Sequence, residues 1–325
     1  MSHMSVKKVL EVPRVVAIRY GVFPDVRAGW EATKFAVQES ERLGYESVWF
    51  ADHLMGQKPI LECWTTLSAL SSLTRRIRLG TMVLCNSFRN PSMLAKMAAT
   101  LDNASGGRVE LGIGAGWKQE EYLGYGYEFP SPAMRVYQLE EALIIMDRLW
   151  SEGPATYEGR YFTVRQAFCE PRPIQKPRIP ITVGGTGERL MLKVVARHAD
   201  RSNWWICPRD RFARRIRVLD EYCLRLRKRS QIEKSATAFV NIAESQEQLI
   251  RNLQRYYRTQ GSDRPYEDWS HEVSTRMISG TPEQCVDQLR EYAQLGVTYF
   301  IVRPIDLPKT EGLELFAREV VGRQI

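Results

Sequence analysis

The chain has 325 residues, with 46 lysines and arginines against 38 aspartates and glutamates, a formal charge of +8 and 44% hydrophobic residues. That balance is ordinary for a folded globular protein and excludes a disordered chain, a fibrous repeat and a disulfide-dense scaffold. No apolar run approaches the roughly 18 residues of a membrane span, and Met1 to Met4 (Met-Ser-His-Met) read as a cloning scar opening a disordered stretch over 1–12, not as a targeting signal.

In chain order, Val15 to Tyr20 is a short β-branched run, Arg27 to Leu43 a helix closed by Gly44, and Ser47 to Ala51 a strand ending on Asp52-His53. Cys63 to Leu73 follows as a helix, Ile77 to Val83 as a strand, Pro91 to Ala104 as a helix starting at a proline, and Val109 to Ile113 as a fourth strand. This alternation predicts parallel pairing, because antiparallel meanders need no helical crossovers. Next come a helix from Met134 to Leu149, a small hairpin over Thr156 to Thr163, and a connector carrying Pro171, Pro173, Pro177 and Pro180. Ile181 to Val183 is a strand, Gly184 to Gly187 a glycine-rich turn, Glu188 to Arg197 a helix, and Ser202 to Trp205 a short strand. An arginine-rich helix, the strand Ala236 to Ile242 and the helix Gln246 to Tyr257 precede a polar surface insertion. A helix from Pro282 to Gly296, the strand Thr298 to Val302 and the helix Leu313 to Val320 complete the chain. The βα succession predicts an α/β fold, a TIM (β/α)8 barrel forming one domain over 13–325, with insertions at 117–178 and 259–277. A doubly wound open sheet with a second domain is the alternative.

Residues 201–230 hold ten arginines and lysines against three acids, so most of the positive excess lies in one segment. Phe212, Ile216, Leu219, Cys223 and Leu226 recur there at helical spacing, the stripe of an amphipathic helix whose basic face is either solvated or steers anions. No aromatic-interleaved basic strand accompanies it, so neither nucleic acid nor a membrane is an expected partner. Six cysteines without C-x-x-C spacing predict reduced thiols in a cytoplasmic protein, and His53, His198 and His271 provide no metal-ligand set.

Barrels carry their chemistry on the loops that follow the strands. At such a point His53 can hydrogen-bond a cofactor or shuttle a proton, with Asp52 fixing its tautomer or capping the loop; a structural role is the other reading. Asn86 and Arg89 either aim at the same mouth or hold their own loop. Gly112-Ile113-Gly114-Ala115-Gly116 lacks the third glycine of a dinucleotide fingerprint. Gly184-Gly185-Thr186-Gly187 either cradles a phosphate on its amides or forms a tight turn. Trp117, Tyr122, Tyr125 and Tyr127 can form an aromatic lid, and Trp204 or Trp205 lines the mouth. His198 ends a helix, where a cation offsets the dipole.

Several segments are similar, in order and spacing, to the bacterial luciferase-like family of flavin- or coenzyme F420-dependent oxidoreductases. They are Leu43-Gly44-Tyr45-Glu46-Ser47-Val48-Trp49-Phe50-Ala51-Asp52-His53, Leu79-Gly80-Thr81-Met82-Val83 with Arg89-Asn90-Pro91, Ser105-Gly106-Gly107-Arg108 through Gly114-Ala115-Gly116-Trp117, Gly159-Arg160-Tyr161-Phe162, Gly184 to Gly187, and Ser279-Gly280-Thr281-Pro282-Glu283. The resemblance spans nearly the whole chain. It implies a TIM barrel with insertions, a homodimer, and a cofactor ring lying against a bulge after the third strand. In F420-dependent relatives that bulge holds a non-proline cis peptide, which here falls at Met82-Val83. Also implied are ring contacts from Asp52, His53, Met82, Val83 and Asn86, loop contacts from Ala115 and Gly116, phosphate contacts from Gly185, Thr186 and Gly187, and His53 as the catalytic residue. Trp117, Trp204 and Trp205 are the candidate contacts to a small-molecule substrate.

Two departures narrow the reading. The F420-dependent sugar-phosphate dehydrogenases carry a Trp four residues beyond the His and a Glu after the fourth-strand glycine loop; Gln57 and Trp117 stand there instead, which argues against glucose 6-phosphate chemistry. The FMN-dependent alkane and sulfonate monooxygenases place a phosphate-binding Tyr after a helix-start Arg, whereas Arg135 is followed by Val136. Coenzyme F420 and hydride transfer to or from a small organic substrate are therefore favoured. FMN with O2 and a separate reductase is the alternative, which Tyr137 keeps open, and a barrel without redox cofactor is the third.

Overall fold

A computed structural model describes residues 17–56, 58–227 and 232–323; residues 1–12, Val15, Val16, Gln57, Lys228 and Arg229 lie outside them. The first half comprises β1 (Arg19–Val22), α1 (Trp30–Arg42), β2 (Ser47–Phe50), α2 (Cys63–Leu73), β3 (Arg78–Thr81), the two-residue β4 (Leu84–Cys85), α3 (Pro91–Ser105) and β5 (Val109–Gly114). Then come α4 (Gln119–Gly124), α5 (Pro132–Ser151), the antiparallel hairpin of β6 (Ala155–Glu158) and β7 (Thr163–Ala167), and β8 (Ile181–Gly184). The remainder is α6 (Met191–His198), β9 (Arg201–Trp205), α7 (Arg209–Arg225), β10 (Glu233–Ile242), α8 (Gln246–Gln260), α9 (Tyr266–Ser274), β11 (Met277–Gly280), α10 (Pro282–Ala293), β12 (Val297–Pro304) and α11 (Glu311–Glu319).

β12, β1, β2, β3, β5, β8, β9 and β10 pair in parallel in that order, and β10 pairs back to β12, so the eight strands close into a TIM barrel. β2 and β5 are buried along their whole length, as expected where helices cover the outside and side chains fill the inside. Trp49 is the largest of these interior fillers. Its indole occupies space that any side chain on Gly80 or Gly21 would invade, and its Nε1 donates to Ser47 Oγ at 2.5 Å. At the strand starts, Arg19, Arg78 and Arg201 interlock with Glu46, Glu110 and Glu233, closing the bottom of the barrel with paired charge.

Several elements differ from the sequence expectation. β1 begins later than the β-branched run suggests, because the residues that pair with Tyr299–Val302 of β12 are Arg19–Val22, where Gly21 leaves room for Trp49. Gly29, at φ 85°, splits the first predicted helix into a short 3-10 turn and α1. β10 is ten residues long and pairs with β9 only over Glu233–Thr237; the unforeseen β11 covers the edge left at Phe239–Ile242. The polar insertion contains α9, whose Trp269 packs against Tyr256 and Tyr257. α7 buries Phe212, Ile216 and Leu219 as its stripe predicts, while Leu226 lies past the helix end and is exposed. Among the described residues no helix is long and apolar enough to cross a membrane.

Candidate active site

The strand C-termini open into a cavity of about 580 Å³, within the range of small-molecule and cofactor sites. Asp52, His53, Met82, Val83, Ala115, Gly116, Gly185 and Thr186 line it together with Trp117, Trp204 and Trp205. Residues up to 153 positions apart in sequence thus converge on one volume because each follows, or ends, a barrel strand.

The wall after β3 is built by exclusion of side chains. Thr81 ends the strand with its hydroxyl bonded to the Gly112 backbone on both sides, at 2.7 and 2.9 Å. The next peptide, Met82-Val83, is cis, at the position the resemblance implies. Val83 then wedges between β5 and β8: a Cβ on Gly114 or on Gly184 would lie 2.9 Å from its methyl groups. The chain returns to the sheet through β4, whose Leu84 and Cys85 pair with Ile113 and Gly114.

Asp52 is buried and already committed. Its carboxylate accepts from the Cys85 amide at 2.9 Å and from the Arg89 guanidinium at 2.7 and 3.0 Å, which ties the end of β2 to the loop after β4. Arg89 also pairs with Glu62 at 2.5 Å, so it braces the loop and does not face the mouth. Burial works against its charge, but Asp52 and Glu62 outweigh that and raise its pKa. Asp52 therefore does not orient His53. That position belongs to Glu121 of α4, whose carboxylate oxygens lie 3.0 and 3.2 Å from His53 Nδ1. Glu121 is 2% exposed, and Lys118 Nζ donates to it at 3.1 Å. Trp117 meets the imidazole edge-on at 6.0 Å and is itself 71% exposed. Sequence reading missed Glu121 because it took the Trp117–Tyr127 segment for its aromatic rings; the adjacent acids Glu120 and Glu121 just after a strand-end glycine loop were the available signal.

The aromatic lid is mostly packing. Tyr122 is buried with its hydroxyl 3.0 Å from both Cys85 Sγ and Ser87 Oγ, and Tyr127 donates to the Phe88 carbonyl at 3.1 Å. Burial pushes the Tyr122 phenol well above its ordinary value, so it stays a neutral donor. Trp204 is also wall, not lid: its Nε1 donates to the Gly185 carbonyl at 2.9 Å and its ring rests on Phe212. Trp205 stacks at 4.8 Å from Phe239 and 6.3 Å from Phe23.

Two predicted contacts lie elsewhere. Asn86 opens a 3-10 turn, Asn86–Phe88, that rotates it into a separate cleft of about 280 Å³ with Tyr127, Gln138 and Phe162, where its Nδ2 has no protein acceptor among the described residues. Gly187 does not line the cavity either. Residues 188–190 are turns, so α6 begins at Met191 and not at Glu188, and the Gly187 carbonyl is engaged by the Leu192 amide. Gly185 has φ 141°, and a Cβ there would lie 2.8 Å from Met191, so the turn requires glycine. At the other end of α6, burial outweighs the neighbouring Glu140 and lowers the pKa of His198, which works against the cation expected there, while Arg197 carries a charge in the same turn.

The family model described as luciferase-like monooxygenase matches residues 16–299. An uncharacterized protein of Mycobacterium tuberculosis (strain ATCC 25618 / H37Rv) is 39% identical over 150 residues, 46% of this chain and 51% of that protein, so the chain matches about half the length of its mycobacterial relatives. An F420-dependent glucose-6-phosphate dehydrogenase of Intrasporangium calvum is 28% identical over 91% of this chain and 98% of its own. Among solved structures, an F420-dependent secondary alcohol dehydrogenase superposes with a TM-score of 0.81 at 20% identity, covering 94% of this chain and 100% of that one. A monooxygenase from Streptomyces bottropensis gives 0.78 at 20% identity, covering 94% and 99%. Those two likenesses establish the fold. With its closed barrel and a family match over most of its length, the chain belongs to the luciferase-like monooxygenase family.

Proposed function

We propose that the protein is an oxidoreductase that holds coenzyme F420 in the larger cavity and acts on a small organic substrate beside His53. The observation that carries this reading is the glycine-lined wall: Gly114 and Gly184 admit the Val83 wedge, and Gly185 and Thr186 line the same cavity. Such a wall suits a flat tricyclic ring against Val83 and Met82, with a phosphate at the glycine turn, a loop of the kind whose backbone amides can form an anion-binding nest. The full-length likeness to an F420-dependent dehydrogenase supports the same cofactor. Tyr137, which kept FMN open, lies in a separate crevice with Lys193 and Arg197, outside this cavity.

Bound F420 supplies a carbon centre that accepts or donates hydride and reacts poorly with O2; the rest falls to the chain. His53 is the proton relay, its Nδ1 held by Glu121 so that Nε2 is left for substrate or ring. Glu121 is a positioning residue that fixes the orientation of the imidazole ring. Ala115 and Gly116 line the cavity where they would hold the edge of the ring, and Trp117, Trp204 and Trp205 would restrict water and shape the substrate space. A cytoplasmic homodimer belongs to the same reading.

Fluorescence titration of the purified chain with F420 and with FMN tests it. Micromolar binding of F420 with FMN at least tenfold weaker is expected. The converse result would transfer the protein to the flavin monooxygenases and to a partner reductase, and binding of neither would leave a barrel without redox cofactor.

A further inference from the structure

A second cavity of about 300 Å³ adjoins the first and shares Phe23, His53, Trp117 and Arg303 with it. Its other walls are apolar at Val26, Met55 and Ile60 and charged at Asp25 and Arg27. Arg303 stands near the end of β12 with its side chain 15% exposed, its guanidinium carbon 4.9 Å from the Phe23 ring centre and 5.5 Å from that of Phe239. Its ionic neighbour is Asp25, at 3.4 Å, and among the described residues it donates no hydrogen bond to a protein acceptor. Asp25 is already occupied by Arg27, which donates to it through Nε at 2.8 Å, Nη2 at 2.7 Å and the backbone amide at 3.1 Å. One carboxylate thus faces two guanidinium groups, leaving a single surplus positive charge. Other cations nearby are committed: Lys118 to Glu121 and the Met55 carbonyl, Lys58 to the Thr259 carbonyl.

A guanidinium has five N–H donors in a planar fork, and holding one half-buried without acceptors is costly unless something arrives to receive them. The flat fork, fixed between two phenyl faces, matches a carboxylate in two parallel bonds. The single surplus charge suits a monoanion better than a phosphate dianion. We propose that Arg303 anchors the carboxylate of a small organic-acid substrate, whose apolar body lies against Val26, Met55 and Ile60 and whose reacting end reaches His53. This rests on the oxidoreductase reading of the same site and names its substrate class.

The test is isothermal titration of the full chain, with and without F420, using hexanoate, trans-cinnamate, their amides and glucose 6-phosphate as probes. At least one acid is expected to bind tenfold or more tighter than its amide and tighter than glucose 6-phosphate. Arg303→Met should abolish that preference and Arg303→Lys should retain part of it, with F420 affinity unchanged in both. Thermal melts check that each variant folds, and Arg303→Lys carries the comparison should Arg303→Met not fold. Equal binding of acid and amide, no binding of any acid, tighter binding of glucose 6-phosphate, or an acid preference surviving in both variants overturns the proposal. So does a loss of F420 affinity in the variants, which would assign Arg303 to the cofactor. Failure of the unmodified chain to bind F420 overturns the F420 reading alone, because the acid-against-amide comparison stands on the cofactor-free protein.

Discussion

Replacing Arg201 with methionine removes the central cation of the charge cluster that closes the barrel beneath the site. Arg201 is 7% exposed at its side chain and donates to Glu110 at 2.9 Å and to Glu233 at 2.7 Å. Its guanidinium also lies 4.5 Å from the Tyr299 ring centre. Arg19, Arg78 and Arg201 balance Glu46, Glu110 and Glu233, so Arg201→Met leaves one net negative charge in the barrel floor. Breaking a buried pair from one side costs about 3–5 kcal/mol, because the surviving charge is stranded. With an unfolding entropy of roughly 0.7 kcal/mol/K for 325 residues, the midpoint should fall by about 4–7 °C at pH 7. The pH dependence carries a sign. Burial pushes the Glu233 pKa up, but Arg201 and Arg19 outweigh it and hold it below its ordinary value, so its contribution is present above that value and is lost as pH falls. The gap between native chain and variant should therefore narrow as the pH drops toward 4. Differential scanning calorimetry across pH 4–7 measures it, with Arg201→Met/Glu110→Gln as the rebalanced control. A loss under about 1 kcal/mol at pH 7, or a double variant less stable than the single one, would refute the stranded-charge account.

Four further outcomes follow from the site and the cavity beside it. Gly184→Ala sets a Cβ 2.9 Å from a stiff valine side chain, and overpacking of about 1–3 kcal/mol displaces the Val83 wedge; F420 affinity should fall about tenfold by fluorescence titration, and unaltered affinity would remove the wedge from the cofactor wall. Burial pushes the Asp25 pKa up, but Arg27 and Arg303 outweigh it and bring it to about 2 from an ordinary 3.8, worth about 2 kcal/mol at neutral pH. Asp25→Asn should lose that at pH 7 in urea denaturation, and the difference should vanish as pH falls from the ordinary value through about 2. Once a substrate is identified, His53→Ala should reduce turnover at least a hundredfold, while Glu121→Gln, exchanging a charge-assisted for a neutral hydrogen bond, should lower kcat about tenfold with little change in KM. An unchanged kcat in Glu121→Gln would make the contact merely structural.

Patterns with a local period determined the order of strands and helices, the strand end that carries Asp52-His53 and the glycine turns, while the bulge at Met82-Val83 came only from the family resemblance. A parallel strand buried on both faces is a continuous apolar run, and a turn that must avoid a side chain is a glycine; both signals lie within a few residues of the feature they encode. Partnerships across the barrel mouth do not. Sequence adjacency suggested Asp52 as the partner of His53, yet Asp52 faces Arg89, and Glu121, 68 residues away, supplies the carboxylate. A single 3-10 turn moved Asn86 into another cleft, and β11 exists only because β10 outgrows its neighbour. Arg303 lies just past the strand that the sequence predicts to end at Val302, and only the fold brings Phe23 and Phe239 to fix its guanidinium where two cavities meet. Side-chain period decides which face a residue presents; which group waits on that face depends on closure of the ring, and that brings together residues no local pattern relates.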